Sequence, residues 1–565
     1  MIKQIFFLFK ILPDYLIKRF YVIQTLIFIS SFLQLLSVLS IGPFISILSG
    51  NYEFILKYEI FNYFNQFDKI KLLIIISSVV FVLFLISNIF TAIIYNLQQK
   101  FSQRSSAHFS HQILERFYNR SYLQNVENNS AYYKSLITEV GALTGNIIMP
   151  LSDLNSKIFP VSLILFTIFF INPVATSIVF SFLGFGYLLI YLIVKNKLSY
   201  FSKLSHKYNI EGTKLINEIL HSYKEAKIFN FENYFLSKFK NLKINASDIS
   251  ANNIVIQVVP RQFFEVLALG SIIITIFYLL SNQTRVEAIS TLAIYIAAGY
   301  RLMPNLQSIL FSISSVKGNE QTLSVIYSLL LKRKSYYEKN EFNIKNIKSL
   351  KIRKLNFSYK NHKIFDNTNV EFSKGKITGI FGISGSGKST LSNIIMNFLP
   401  LEKSSAFLIN NKKLNANFTF LQGFISFVPQ NIFILNDTII KNITFKNELT
   451  KIEYLKIYNL LKILQLNKFI KNNKISLQKI SEDGKNISGG QAQRIGLARC
   501  LFKESQIIIL DEFTSGLDQT TEKKILKQVR KIFKDKIVIV ISHKSSLKNF
   551  CDIIYELDNK KLIKV

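Results

Sequence analysis

The chain has 565 residues, is 49% hydrophobic and contains 51 phenylalanines. The apolar fraction, with its unusually frequent phenylalanine, is high for a soluble protein and indicates membrane segments, and the length leaves room for several domains. The formal net charge of +34 comes from scattered lysines, which favours a lysine-rich background and cytoplasmic membrane flanks over a nucleic-acid-binding arm. Cys500 and Cys551 fit no metal-binding spacing and indicate a reducing compartment for the second half.

The first twenty residues mix lysine and arginine with apolar side chains. A signal peptide is disfavoured, because the apolar run that follows is too long and has no small-residue cleavage site. We expect an amphipathic helix on the cytoplasmic face of the membrane instead.

Six segments are long and apolar enough to cross a bilayer core of about 30 Å as helices. They are residues 21–48, 72–99, 147–171, 175–194, 258–280 and 286–310. Two long polar connections, 100–146 and 195–257, lie on one side, and the second holds ten lysines against five acids. This bias places that side and both chain ends in the cytoplasm. The connections are predicted to prolong the helices, with soluble loops as the alternative.

On the other side of the membrane, residues 51–69 carry several aromatic side chains. They form either a short interfacial helix or an aromatic belt.

Two arginines lie inside the apolar segments. Arg301 is 15 residues into a helix that starts near Val286, or about 22 Å from its outer end. Such a charge is costly unless it is paired, reaches the interface or faces a wet cavity. For Arg261, pairing with Glu265 one turn on is an equal alternative, whereas Arg301 favours the cavity. A cavity with both arginines would suit an anionic head group entering from the inner leaflet.

The second half is more polar and contains a phosphate-binding pattern. Residues 382–390 fit G-x-x-x-x-G-K-[ST] between an apolar strand and a helix. The glycines let the backbone wrap a polyphosphate, Lys388 would neutralise the β and γ phosphates, and Ser389 would hold Mg²⁺. The residues of the loop expected at the nucleotide are Gly382, Ser384, Gly385, Ser386, Gly387, Lys388, Ser389 and Thr390.

Four further residues of this half have side chains suited to nucleotide chemistry. Tyr359 ends a strand and can stack on adenine, or is simply a strand aromatic. Gln430 can reach Mg²⁺ and the attacking water, or is a turn residue. Asp511 and Glu512 end an apolar strand, so the first can support Mg²⁺ and the second can polarise water.

Three more motifs complete the set. Residues 487–491 read ISGGQ at a helix start and form a second anion-binding surface. Residues 515–518 read SGLD, and a later strand delivers His543, which on its own is equally well a surface histidine. Random occurrence does not explain these motifs in this order.

Together the motifs resemble those of the ABC ATPases across residues 347–565, with Ile487 where leucine is commoner and Gly516 where alanine is usual. The resemblance implies that Gln430 is a sensor and coupling point, that Glu512 is the base acting on water, and that His543 contacts the γ-phosphate. It also implies ATP with Mg²⁺ as cofactors, and hydrolysis by in-line attack of water. The residues implied at the nucleotide outside the phosphate loop are Tyr359, Ser488, Gly489, Gly490, Gln491 and Asp518.

Six spans followed by one such domain resemble an exporter-type half-transporter. The resemblance implies a homodimer in which residues 488–490 complete the site of the other subunit, and a coupling helix within residues 218–231. The predicted fold is therefore an α-helical six-span domain at residues 1–331, a linker at 332–346 and an α/β P-loop ABC domain at 347–565.

Residues 258–261 and 300–304 read VVPR and YRLMP and resemble bacterial flippases of lipid-linked oligosaccharides. Those flippases also have a cationic residue on the second helix, whereas residues 72–99 have none. The cargo implied is a polyprenyl-pyrophosphate-linked oligosaccharide, or another amphipathic anionic lipid, crossing the bacterial inner membrane. Export of a peptide, phospholipid or drug-like molecule is the alternative within transport. An ABC ATPase with a regulatory or nucleic-acid role is favoured only by net charge, and no nucleic-acid partner is expected.

Overall fold

A computed structural model describes residues 2–48, 69–119, 122, 137–141, 143–282, 285–331, 346–359, 362–402, 404–414, 421–481 and 484–565. The chain divides into two compact units. The first consists of Met1–Tyr118 and Glu127–Lys334, and the second of Asn119–Val126 and Ser335–Val565.

The first unit is helical, as its apolar runs predict. Its helices are α1 (Ile2–Lys10), α2 (Asp14–Leu39), α3 (Ile41–Leu48), α4 (Lys69–Tyr118), α5 (Met149–Ile171), α6 (Pro173–His221), α7 (Tyr223–Ile228), α8 (Glu232–Val258), α9 (Pro260–Asn282), α10 (Arg285–Gly318) and α11 (Glu320–Leu331). A single π-helical turn, Thr144–Ile148, leads into α5.

Five helical stretches of the described residues are long and apolar enough to cross a membrane; four of them contain the first four predicted spans, and the fifth, Glu265–Asn282, overlaps the fifth predicted span from residue 265 to residue 280. The sixth predicted span, residues 286–310, lies within the 34-residue helix α10 but does not meet the same criterion over the described residues. The aromatic connection at residues 51–68 lies outside the described residues.

The two polar connections do prolong the membrane helices. Helix α4 has 50 residues and α6 has 49, each about 75 Å long at the usual rise, which exceeds the bilayer core more than twofold. The short helix α7 interrupts the second connection within the predicted stretch 218–231. A tight turn separates the third and fourth spans, where Asn172 Oδ1 accepts a hydrogen bond from Ala175 N at 3.0 Å and caps α6.

The N-terminal segment is helical as predicted. The prediction placed its apolar face on the membrane, whereas in the structure this face packs against helix α4. Leu8, Leu12 and Leu16 are buried in a cluster with Phe101 and Phe109 of α4. Burying these leucines against protein is as favourable as burying them in lipid, because both environments exclude water.

The second unit contains two main sheets. Its strands are β1 (Ser349–Tyr359), β2 (His362–Ser373), β3 (Ile377–Phe381), β4 (Ala406–Ile409), β5 (Lys412–Lys413), β6 (Ile425–Val428), β7 (Ile470–Lys471), β8 (Lys474–Ile475), β9 (Ile507–Asp511), β10 (Ile537–Ser542), β11 (Ile553–Asp558) and β12 (Lys561–Lys564). The six-stranded sheet has the order β12-β11-β3-β10-β9-β6, and the four-stranded antiparallel sheet has the order β2-β1-β4-β5.

Strands β11, β3, β10, β9 and β6 pair in parallel, so their carboxyl ends share one edge. All residues of β3 and β10 are buried, as expected of central strands with helices on both faces. The helices that bear on the site are α12 (Lys388–Ile395), α13 (Leu421–Phe424), α14 (Ile439–Thr444), α15 (Lys451–Ile463), α16 (Gly489–Lys503) and α17 (Gln519–Ile532). Ligands of such sheets bind at the carboxyl edge.

Candidate functional site

The phosphate loop connects β3 to α12 at the carboxyl edge of the parallel sheet, as the pattern predicts. Gly385 and Gly387 have φ angles of +80° and +110°, which side-chain-bearing residues rarely adopt. A Cβ at Gly387 would also lie 2.6 Å from Ile364 Cγ2. The loop therefore needs glycine here, and its backbone can approach a phosphate closely.

Lys388 is the buried cation of this loop. Its Nζ donates to Gly382 O at 2.8 Å and to Ile383 O at 2.7 Å. Burial lowers the pKa of Lys388, and the charges of Glu512 and Asp511 oppose that shift. The ammonium thus lies among acceptors that hold it in place beside the two carboxylates.

Several loop side chains are available to a ligand. Ser384 and Ser389 are exposed, whereas Ser386 Oγ is buried and finds no hydrogen-bond partner in the part of the chain that is described. An orphaned buried hydroxyl is costly unless a bound group satisfies it. The loop therefore fits a polyphosphate with Mg²⁺ at Ser389.

Gln430, Glu512 and His543 meet at the same edge, although they are far apart in sequence. Gln430 Nε2 donates to Glu512 Oε2 at 2.7 Å, and His543 Nδ1 lies 2.7 Å from Glu512 Oε1. Each residue follows one of three adjacent parallel strands, β6, β9 and β10. Both carboxylate oxygens of Glu512 are therefore oriented by neighbours.

Glu512 is fixed by its backbone as well. Its φ of +47° is in the left-handed region, and its N–H donates to Ile541 O at 2.9 Å. Strain of this kind in a residue with a side chain persists where surrounding structure enforces it, and is common at functional sites.

Asp511 lies one residue before Glu512, at the end of β9. Burial, followed by the nearby charge of Glu512, raises the pKa of Asp511 to about 6, and Lys388 opposes the shift. A buried carboxylate with this pKa would be stabilised in its charged form by a divalent cation. Asp511 therefore fits its expected role in supporting Mg²⁺.

The ISGGQ motif starts helix α16, as predicted. Ser488 Oγ accepts from Gln491 N at 3.2 Å, and Gln491 Oε1 accepts from Ser488 N at 3.1 Å, which forms a capping box. A Cβ at Gly490 would lie 2.5 Å from Gly516 O, so the helix start packs closely on residues 515–518. A Cβ at Gly489 meets nothing within 4 Å, and this position is open to a ligand.

The remaining predicted nucleotide residues lie at exposed positions. Tyr359 is exposed at the end of β1, with its ring 5.0 Å from that of Phe357. Asp518 caps α17, where hydrogen bonds from Thr520 and Thr521 lower its pKa.

Gln493, two residues after the ISGGQ motif, connects the motif by hydrogen bonds to the loop that follows Glu512. Gln493 Nε2 donates to Ser515 Oγ at 2.5 Å, and Gln493 Oε1 accepts from Gly516 N at 2.8 Å. The sequence shows Gln493 next to the motif, but only the fold shows that it connects α16 to the loop after Glu512.

In the first unit, Arg301 contacts two residues of α4 that the sequence did not single out. Its Nη1 donates to Asn88 Oδ1 at 3.1 Å, and its guanidinium carbon lies 4.6 Å from the centre of the Phe84 ring. Arg261 belongs to α9, but its side chain lies outside the described residues. The expected pairing of Arg261 with Glu265 thus stays a prediction, while Glu265 Oε1 accepts from Gln307 Nε2 at 3.2 Å.

Comparison with known proteins agrees with this geometry. Residues 365–515 match the sequence model of the family described as ABC transporter. A solved structure of a bacterial Atm1-family ABC exporter with ATP bound aligns with a TM-score of 0.80 at 18% identity, covering 97% of this chain and 95% of that chain. The chain contains an ABC transporter domain on an ABC exporter fold. The predicted ABC domain and the predicted fold are confirmed.

Curated relatives include proteins named for export or for lipid flipping. An export ATP-binding/permease protein of Rickettsia typhi is 34% identical over 251 residues, or 43% of this chain and 42% of the relative. The ATP-dependent lipid A-core flippase of Pseudoalteromonas translucida is 26% identical over 380 residues, or 66% of this chain and 64% of the relative. The chain spans about two fifths of the length of the first curated relatives that it matches, with 42%, 41% and 40% covered.

Proposed function

We propose that this ABC exporter is an ATP-driven flippase of the bacterial inner membrane that moves a polyprenyl-pyrophosphate-linked oligosaccharide or another lipid of the same amphipathic, anionic chemistry. The observation that carries the choice of cargo is Arg301. It is a cation in a helix that packs among membrane-spanning helices, and the described residues place no carboxylate in contact with it. A charged side chain costs free energy in a membrane-spanning helix, so it marks a site that binds a ligand or lines a transport pathway.

The ABC domain supplies the hydrolytic groups. Lys388, Ser389 and Asp511 would hold ATP and Mg²⁺. ATP would supply the phosphoryl group, and Mg²⁺ would neutralise its negative charge. Glu512 accepts a proton from the attacking water, and Gln430 and His543 keep its two oxygens aligned. Catalysis then depends on positioning and on stabilisation of charge.

The arrangement of the ISGGQ motif supports two composite sites in a homodimer. Ser488 and Gln491 form hydrogen bonds with each other. A side chain at Gly489 would meet open space rather than another part of the described chain. A second copy of the chain would present its phosphate loop to this surface, and the first copy would do the same in return.

A cavity in the first unit favours a second candidate, the export of an uncharged amphiphile such as a drug-like molecule. The cavity has a volume of about 470 Å³ between α5, α6, α9 and α10, and its lining is almost wholly apolar apart from Glu265. An apolar lining of this kind also accommodates a lipid chain, so Arg301 decides between the two. A regulatory or nucleic-acid role is disfavoured by the membrane-type helices, of which the described residues contain five.

The test is ATPase stimulation of the purified protein in phosphatidylcholine vesicles. A polyprenyl-pyrophosphate-linked oligosaccharide should stimulate turnover more strongly than uncharged drug-like molecules at equal membrane concentration. Arg301→Ala should lose about tenfold or more of the apparent affinity for this lipid, because a desolvated charge-assisted contact contributes about 1.5–3 kcal/mol. Stronger stimulation by the uncharged compounds would overturn the proposed cargo.

A matched control is Arg353→Ala, which removes an arginine from the other unit on strand β1. It should keep the lipid response of the wild type. Equal loss in both variants would remove Arg301 from the substrate path.

A further inference from the structure

The guanidinium of Arg301 is held by one face of helix α4. Asn88 Oδ1 accepts from Nη1, and the guanidinium carbon lies over the Phe84 ring. Phe84 and Asn88 are four residues apart, so they lie one turn apart on the same face of the helix. They restrict the cation in two different ways, by a hydrogen bond and by a cation–π contact.

The other edge of the same guanidinium is unused. Nε and Nη2 of Arg301 are shielded from solvent and have no hydrogen-bond partner among the described residues. These two N–H groups form the edge with which arginine binds two oxygens of one phosphate or carboxylate. Unpaired donors on a desolvated cation are unfavourable, and an anion at this edge would satisfy both.

The second membrane helix thus has a role that its sequence does not show. Residues 72–99 contain no charged side chain, so the predicted membrane-spanning part of α4 offers no second cation to an anionic ligand. Instead, its contacts leave the two-donor edge of Arg301 free, since Asn88 accepts only from Nη1 and the Phe84 ring has no oxygen or nitrogen acceptor. Low local polarity also strengthens any charge interaction formed there.

Building on the proposed lipid transport, we propose that Phe84 and Asn88 are positioning residues that direct the Nε–Nη2 edge of Arg301 toward the phosphate oxygens of the transported lipid. The ligand chemistry is a phosphate or pyrophosphate ester attached to an apolar chain. Because the edge is shielded in this structure, the anion reaches it when α4 or the Phe84 side chain moves aside. Phe84 is only half-buried and Asn88 is exposed, so neither is locked in a packed core.

The experiment measures ATPase stimulation of the full-length protein in phosphatidylcholine vesicles by undecaprenyl pyrophosphate, by undecaprenol and by inorganic pyrophosphate. Asn88→Leu should raise the half-maximal concentration of undecaprenyl pyrophosphate about tenfold, and Phe84→Leu about threefold. Maximal stimulation should be kept in both variants, and the response to undecaprenol should not change. A loss of packing alone would not select the pyrophosphate lipid in this way.

Two controls make the result specific. Phe81→Leu changes a ring of the same helix that is 68% exposed and should behave as the wild type. In an Arg301→Ala background, Asn88→Leu should add little, because both changes remove the same interaction. Full additivity would overturn the positioning role.

The outcomes separate this inference from the proposed function. If the wild type does not prefer undecaprenyl pyrophosphate over undecaprenol, the proposed cargo fails. If it does, and both α4 variants keep the wild-type concentration dependence, only the positioning role fails. Stimulation by inorganic pyrophosphate at the same concentration would assign the edge to a soluble anion and would overturn the lipid assignment.

Discussion

Replacing Glu512 with glutamine should reduce ATP turnover by about 10²- to 10⁴-fold while ATP binding persists. Glutamine has the size of glutamate and can still contact Gln430 and His543, but it cannot accept the proton of the attacking water. ATP binding should survive, because the phosphate loop and Lys388 are unchanged. Phosphate release measures turnover, and binding of a fluorescent ATP analogue measures affinity.

Glu371→Gln is the matched control for this change. Glu371 is a carboxylate of the same domain that pairs with Lys351 at 2.9 Å in the four-stranded antiparallel sheet, outside the sheet whose carboxyl edge carries Glu512. The control should hydrolyse ATP like the wild type. Wild-type turnover in Glu512→Gln would show that another group activates the water.

Mixed dimers should recover activity that neither parent variant has. Lys388→Ala removes the buried cation of the phosphate loop. Gly489→Asp adds a negative charge at the start of α16, where the side chain has room, so it should repel a phosphate without disturbing the fold. With sites composed of two chains, a dimer of one copy of each variant combines both lesions in one site and leaves the other site intact. Dimers purified through two different affinity tags and assayed for ATPase activity provide the test.

The reciprocal pairing is the control for mixed dimers. One copy carrying both substitutions, paired with a wild-type copy, places one lesion in each composite site and should be inactive. If each site belonged to one chain, the results of the two pairings would be exchanged. Activity only in the reciprocal pairing would therefore contradict composite sites.

Local chemistry made much of the nucleotide site predictable. The phosphate loop needs particular residues between a strand and a helix, and its glycines with positive φ leave a recognisable pattern. The contact of Gln430 and His543 with Glu512 was not predictable in the same way. It follows from the strand order β6-β9-β10, which is set by packing across the whole sheet and not by local sequence.

The membrane unit shows the same difference between local and long-range information. Helix length follows from apolar runs and helical periodicity, so the extensions of α4 and α6 were predictable. Asn88 and Phe84 were not, because an amide and a ring in an apolar helix have no local signature of function. Their relation to Arg301 appears only in the folded structure, where the Arg301 side chain of α10 reaches α4.

The most direct test of the account is lipid translocation in proteoliposomes. A polyprenyl-pyrophosphate-linked oligosaccharide with a fluorescent label is placed in the leaflet that faces the ABC domain, and an impermeant quencher reports the leaflet it occupies. With ATP, the wild type should move the lipid to the opposite leaflet, and Glu512→Gln should not. ATP hydrolysis by the wild type with no movement of this lipid, together with ATP-dependent movement of an uncharged amphiphile, would contradict it.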